Sequence, residues 1–434
     1  MSGGWLAVQG RLPLAFMGLG LAWLVAGTLM LLAVPALLAL PHAHPHVVAL
    51  THAWVLGFFV TVACGAVYQL VPVALGTTLA NERYGWWHFW LHALGVPGMV
   101  GSFWLWNLKL LGHFGFAVAI GIVLFTINTC QTVRRSGRRN LVAWSVAASG
   151  VWLLTTVLMG LLLAANRHWL FLPVDPIFLL RAHAHLGLVG FFVALLQGVS
   201  FQLIPMFTLG EMREWRCASI GFCISQAGLV VLAPALVLHH GLLSTLGAAA
   251  VAVGITCSVW AMVRALGTRK KRALDPGVRL FLFGGVGVWI AAVAGAVLVA
   301  PWTAGGSAAG GYNAMVYAII GIGGGLLPCI AGMMCKIVPF LTWMRAYGPH
   351  VGRGRTPSAG ALTLPRVERV GLALQAVALV PLVIGAWTLS DLWLKVGILT
   401  LAAGVVLFAA DMLGVMRHLW RPQIETPVPV RAAK

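Results

Sequence analysis

The chain has 434 residues, 60% of them hydrophobic and 9% charged, with 28 Lys and Arg against 9 Asp and Glu for a formal net charge of +19. So little charge excludes a water-soluble enzyme, and 19 Trp with 19 Phe excludes low-complexity disorder. The positive balance does not point to nucleic acid, because basic loops are what a polytopic membrane protein uses to fix its orientation.

In chain order, the sequence predicts twelve apolar stretches divided by Gly, Pro or charged clusters. They lie at 13–40, 47–76, 86–106, 110–133, 141–165 and 177–209, then at 217–238, 241–266, 278–300, 312–343, 367–388 and 392–416. About 20 apolar residues cross a bilayer as a helix, so the expectation is an all-α polytopic membrane protein of twelve transmembrane helices with no large soluble domain. The first stretch is too long for a cleaved signal and is read as a helix. Alternate loops differ in charge. Arg134, Arg135, Arg138 and Arg139 share a side with the run Arg269, Lys270, Lys271, Arg272, with Arg345, Arg353, Arg355 and Arg366, and with both termini. Only Lys109, Arg167, Arg181 and Lys395 fall near the opposite ends, and Lys336 lies within a helix. Both termini are therefore expected in the cytoplasm, in a bacterial-type inner membrane. The histidines lean the other way. His42, His44, His46, His52, His113, His168, His183, His185, His239 and His240 lie at or near outer helix ends, and only His88, His92, His350 and His418 lie inward.

A repeat runs through this pattern. His52 is followed by Gly57, Phe58, Phe59, Gly65, Tyr68, Gln69, Leu70 and Pro72. A shift of 133 residues gives His185, Gly190, Phe191, Phe192, Gly198, Phe201, Gln202, Leu203 and Pro205 at the same spacing. A weaker third copy has Gly332, Cys335, Lys336, Ile337 and Pro339, with Ile319 about where the His should stand. The shift equals four helices, which predicts three pseudo-symmetric four-helix units over 1–140, 141–277 and 278–434 in one membrane domain. At 1.5 Å per residue, the run from His52 to Pro72 spans about 30 Å, placing each repeated His near the outer face and each Pro near the inner one.

Neutral imidazole ligates iron, copper and zinc, and an ionisable group held in lipid is costly enough to mark function. The shared register makes His52 and His185 the first candidates for heme or metal. His183 and His185 are two residues apart, about 200° around a helix, so they cannot face one centre and one of them is read as a supporting residue. His42, His44 and His46, broken by Pro41 and Pro45, could bind a surface metal, cap a heme propionate or simply be solvated. His239 and His240 sit at a helix end where consecutive side chains can converge on copper or belong to a hydrated loop. His113 and His168 read as interfacial amphiphiles.

Other residues say less. Seven Cys have neither CxxC nor CxxCH spacing, so disulfides, zinc and covalent heme are not indicated. Lys336 aligns with Gln69 and Gln202 and is expected to snorkel inward, and Asp411 is a similar orphan. Gly321 to Gly325 read as a close helix contact. His88 and His92 lie four apart at the inner end of the third helix. They could approach a quinone or heme, but with Trp86, Trp87 and Trp90 they read first as an aromatic belt. No phosphate-binding or dinucleotide fingerprint is present.

Twelve helices in three arcs, with outer-side His on the second and sixth, resemble the heme-copper oxidase subunit I superfamily over nearly the whole chain. That superfamily includes cbb3-type oxygen reductases and nitric oxide reductases. The resemblance implies heme b and copper, and electron transfer or O2 or nitric oxide chemistry in a respiratory chain. It also implies a cytochrome c-type or other electron-transfer subunit as partner within the lipid bilayer. It makes His52 a ligand of low-spin heme and assigns copper to His185 with His239 and His240. The residues alone leave a second arrangement open, in which His52 and His185 share one heme. Met333 and Met334 lie too deep to serve. The tenth helix, which in the family supplies a His to each heme, has none, and Val189 stands one turn after His185 where many members carry a tyrosine. The second helix is also similar, more loosely, to nitric-oxide-stress membrane proteins of the NnrS type. Three expectations follow: an oxidoreductase, a non-enzymatic protein that handles heme, copper or nitric oxide, and a structural subunit with degenerate sites.

Overall fold

The computed structural model describes residues 10–299, 309–352 and 355–423; Arg353 and both chain ends, which entered the charge comparison, lie outside the described residues. Twelve long helices run in order: α1 Arg11–Ala33, α2 Pro45–Leu75, α3 Glu82–Trp104, α4 Leu108–Ser136, α5 Leu141–Trp169, α6 Pro176–Thr208, α7 Trp215–Val237, α8 Gly241–Gly267, α9 Pro276–Val299, α10 Asn313–Ala346, α11 Pro365–Thr388 and α12 Asp391–Arg417. Among the described residues, eleven are long and apolar enough to cross a membrane. The exception is α3, which has the length but carries Glu82, Arg83, His88 and His92. The protein is therefore an all-helical, multi-pass membrane protein.

Helix ends follow local chemistry. Asn81, Asn107 and Asn140 cap α3, α4 and α5 by accepting the amides of Tyr84, Leu110 and Ala143, and Asp175 caps α6 from Ile177. Gly76 and Gly137 close α2 and α4 in the left-handed conformation that glycine adopts freely. The first helix stops at Ala33 rather than reaching residue 40, because Pro35 cannot continue it and starts a short 3-10 turn.

Packing repeats along the chain. α1 packs on α2, α5 on α6 and α9 on α10; α3 packs on α4, α7 on α8 and α11 on α12. α4 then meets α5, α8 meets α9, and α12 returns to α1, which closes a ring. The most enclosed helices are α2, α6 and α10. Glycines set the approach of their neighbours. A Cβ on Gly57 would meet the Trp23 ring at 2.5 Å, and one on Gly190 would meet Trp152 at 2.8 Å. The Gly321 to Gly325 region does make a close contact, since a Cβ on Gly284 would lie 2.6 Å from the Gly325 carbonyl oxygen.

Each enclosed helix contains one π-helical stretch of eight residues: Ala53–Val60 in α2, Leu186–Val193 in α6 and Ile319–Leu326 in α10. A π turn holds an extra residue and frees carbonyls from the regular ladder. The three stretches start 133 residues apart. His52 and His185 immediately precede the first two, with the same backbone angles, and Ala318 precedes the third. Matching on Pro339 put Ile319 in that place, so the two halves of α10 differ in register by one residue. Beyond the π stretches, α2, α6 and α10 enclose an apolar cavity of about 70 Å³ lined by Val62, Ala66, Phe192, Leu196, Leu326 and Met333.

Candidate functional site

His52 ends the first α-helical part of α2, and its Nδ1 donates to the Val48 carbonyl at 2.8 Å. His183, on the α-helical part of α6, donates from Nδ1 to the Thr156 carbonyl of α5 at 2.9 Å. A carbonyl only accepts, so the proton sits on Nδ1 and each Nε2 carries the lone pair that a metal takes. The two rings lie 6.3 Å apart between centroids, with planes 22° from parallel. Both side chains are partly buried. Phe103 of α3 stacks on His52 at 4.7 Å, and Gly160 makes room for the other ring, since a Cβ there would lie 3.0 Å from His183 Cε1. A metal bound to two imidazoles at about 2.0 Å per bond sets ring centres roughly 6 Å apart, so the pair is spaced for one shared ion.

His185 diverges from His183, as two residues of helix require. Its Nδ1 donates to the Arg181 carbonyl at 2.8 Å, and its Nε2 faces the Tyr317 hydroxyl of α10 at 3.4 Å, the rings 6.1 Å apart. His44 and His240 have a different employment. Each caps a helix by accepting a backbone amide on Nδ1, from His46 for α2 and from Leu243 for α8. This fixes the opposite tautomer, with the proton on Nε2. His46 stacks on Trp104 at 4.3 Å. His239, at a left-handed φ of 52°, stacks on Phe178 at 4.4 Å, and both His239 and His240 are exposed. Among the described residues, no group of three or more His, Cys, Asp or Glu is placed to hold a metal ion, so His185, His239 and His240 are not gathered into a cage.

The rim beside this site carries the Arg181 charge. His42, in the loop before α2, is held below the usual histidine pKa by burial and then by the nearby Arg181 charge. Its Nδ1 is buried without a partner. His42 and the Arg181 guanidinium, which also lies over the Phe178 ring, are thus within electrostatic reach of each other.

Four features were not read as such from the sequence. Tyr317, one residue before Ala318, supplies a polar contact from α10 to His185. His88 and His92 are not part of the aromatic belt. Trp87 and Trp90 are exposed, whereas both imidazoles are fully buried against α2, on a stripe shared with Gly85 and Gly95 that was the available signal. Lys336 is ion-paired with Asp275, the residue before α9, which also pairs with Lys271 at 2.8 Å. Asp275 feels a desolvation cost, but hydrogen bonds from the two lysines outweigh it and hold its pKa below the usual value. Asp411 is not an orphan at Oδ1, which accepts the Leu364 amide at 2.7 Å where α11 begins.

No protein-family model matches the chain, and no curated protein matches it by sequence. Among solved structures it is similar to a heme-copper terminal oxidase dimer determined by cryo-EM. The TM-score is 0.54 at 13% identity, over 95% of this chain and 86% of that one. The chain thus shares the fold of that oxidase.

Proposed function

We propose that the protein is an integral membrane heme protein related to the catalytic subunits of respiratory oxidases and nitric oxide reductases, in which His52 and His183 hold one b-type heme. The observation that carries this reading is the pairing of two imidazoles from α2 and α6 in the same metal-ready tautomer, 6.3 Å apart. When bound, the heme supplies one-electron redox change at its iron. Val48 and Thr156 hold the two rings in orientation, Phe103 packs one face of His52, and Arg181 beside His42 would receive a propionate. With both imidazoles engaged, the group would supply electron transfer rather than binding of O2 or nitric oxide. Copper fits less well, because His240 is committed to a cap and His239 to an aromatic stack.

The fold shared with a heme-copper oxidase supports the relation, and the three π stretches at one spacing support the reading as three four-helix units. The excess of Lys and Arg in the loops at the opposite end supports a histidine end facing the outer, periplasmic side of a bacterial-type inner membrane. A second reading, in which the protein senses or passes on heme or nitric oxide without turnover, draws on Ala318 standing where His52 and His185 stand in the other helices.

Heme and iron analysis of the purified full chain tests this. About one heme per chain, lost in His183→Ala, is expected. A heme content unchanged in His183→Ala, or no heme in wild-type protein from heme-replete cells, overturns it.

A further inference from the structure

The three enclosed helices do not close on one another along the axis of the ring. The cavity between them, about 70 Å³, is lined at equivalent places: Ala66, Val199 and Met333 stand six residues before Pro72, Pro205 and Pro339, and Leu70, Leu203 and Ile337 stand two before them. On α2 the lining runs from Val62 to Val71, about 14 Å of helix, so the space is long and narrow. It exceeds the roughly 10–15 Å³ that one water needs, but a water also needs two or more polar partners, and this lining is apolar side chains with Ser200. Its natural content is apolar.

The axis has a mouth at the end away from the histidines. Val73, Met206 and Phe340 each follow one of the three prolines, seven residues after Ala66, Val199 and Met333. Seven residues are two turns less about 20°, so these side chains keep the direction of the cavity lining. They are nevertheless 65%, 52% and 46% exposed, on the most enclosed helices of the bundle. A second cavity, about 120 Å³, adjoins this mouth between α2 and α10. Gln69 and Val73 in its wall flank Leu70 and Val71 of the first, and Phe340, Met344 and Arg345 form the other side. Arg11, where α1 begins, lies within electrostatic reach of Arg345. Two guanidiniums held near each other favour an anion, and basic pockets of this kind between membrane helices take anionic lipid headgroups.

We propose that the two cavities together bind one anionic phospholipid, its phosphate held by Arg345 and Arg11 and one acyl chain running up the axis between α2, α6 and α10. Head and tail need opposite surroundings, and the cavities supply them in order: guanidinium and amide groups at the mouth, hydrocarbon and sulfur beyond it. The chain fills the space that the three helices leave, the charges select the headgroup, and the second chain stays outside the axis. The site lies beyond the π stretches from His52 and His183, so it does not rest on the heme reading.

Density maps of the full chain in nanodiscs of phosphatidylglycerol with brominated chains, and of phosphatidylcholine with the same chains, test the site. Bromine density on the axis beside Ala66, Val199 and Met333 is expected in phosphatidylglycerol, and about fivefold weaker in phosphatidylcholine. Ala66→Phe puts a ring into the axis and is expected to remove it. Arg345→Gln is expected to lower about fivefold the phosphatidylglycerol that survives detergent washing, counted by native mass spectrometry. An axis without bromine in both lipids overturns the acyl-chain site even if no variant folds. Equal density in the two lipids, or retention unchanged in folded Arg345→Gln, overturns the anionic headgroup.

Discussion

The histidines of α2 and α6 differ from those at the α7–α8 turn in one respect that decides what each can do. At His52, His183 and His185 the Nδ1 proton is given to a backbone carbonyl within or beside the helix, leaving Nε2 basic. At His240, as at His44, Nδ1 accepts an amide and the imidazole serves the helix end. Both sets lie near the same membrane face and are alike in sequence. The tautomer imposed by the neighbouring backbone separates an imidazole whose Nε2 is free to ligate from one that caps a helix. It is not sufficient alone: His113 also donates to a carbonyl, that of Lys109 at 2.7 Å, but it is exposed and has no imidazole opposite.

The largest test of this contrast exchanges the two sets. His52→Ala or His183→Ala is expected to reduce bound heme from stoichiometric to background, whereas His44→Ala, His239→Ala and His240→Ala keep it, read by absorption of the purified chain. At the opposite end of the bundle, Asp275→Asn strands Lys336 and Lys271 without their carboxylate, and is expected to cost about 1.5–3 kcal/mol. Lys336→Gln introduces the residue type of Gln69 and Gln202, and combined with Asp275→Asn it should recover most of the melting temperature. Gly190→Ala presses a methyl into Trp152, with an expected loss of about 1–3 kcal/mol in thermal unfolding and no change in the ligand tautomers. His240→Ala removes only a cap, about 1 kcal/mol.

The smallest effect is in pH. Burial, and then the neighbouring Arg417 charge, holds His418 below the usual histidine pKa, and its Nδ1 meets the Tyr347 hydroxyl at 2.7 Å. The folded state prefers the neutral ring, so the unfolded chain takes up the proton first. The contribution is complete above about pH 6.5 and declines as the medium is acidified below it. The difference in melting temperature between wild type and His418→Gln should therefore shrink on acidification.

Helix positions were legible because apolar length and caps such as Asn107 and Asn140 are local properties, and eleven helices keep their expected bounds within a few residues. The equivalent places of His52 and His185, each ahead of a π stretch, were legible through the repeat. That His183 rather than His185 lies opposite His52 was not, because the counterpart of His183 one repeat earlier is Leu50 and the repeat pairs His52 with His185. The π stretches and Tyr317 leave no trace in composition, since a π turn alters register without altering residue type. In α3 the buried stripe of Gly85, His88, His92 and Gly95 was hidden beneath the more conspicuous Trp86, Trp87 and Trp90.

The most direct measurement is the axial ligation of iron in the oxidised wild-type chain, by electron paramagnetic resonance and near-infrared magnetic circular dichroism. Two imidazoles on a six-coordinate low-spin iron is the predicted result, with the signal lost together with the heme in His183→Ala. A five-coordinate iron, or an imidazole–thioether pair, in the wild type would contradict the joining of α2 to α6 through one heme.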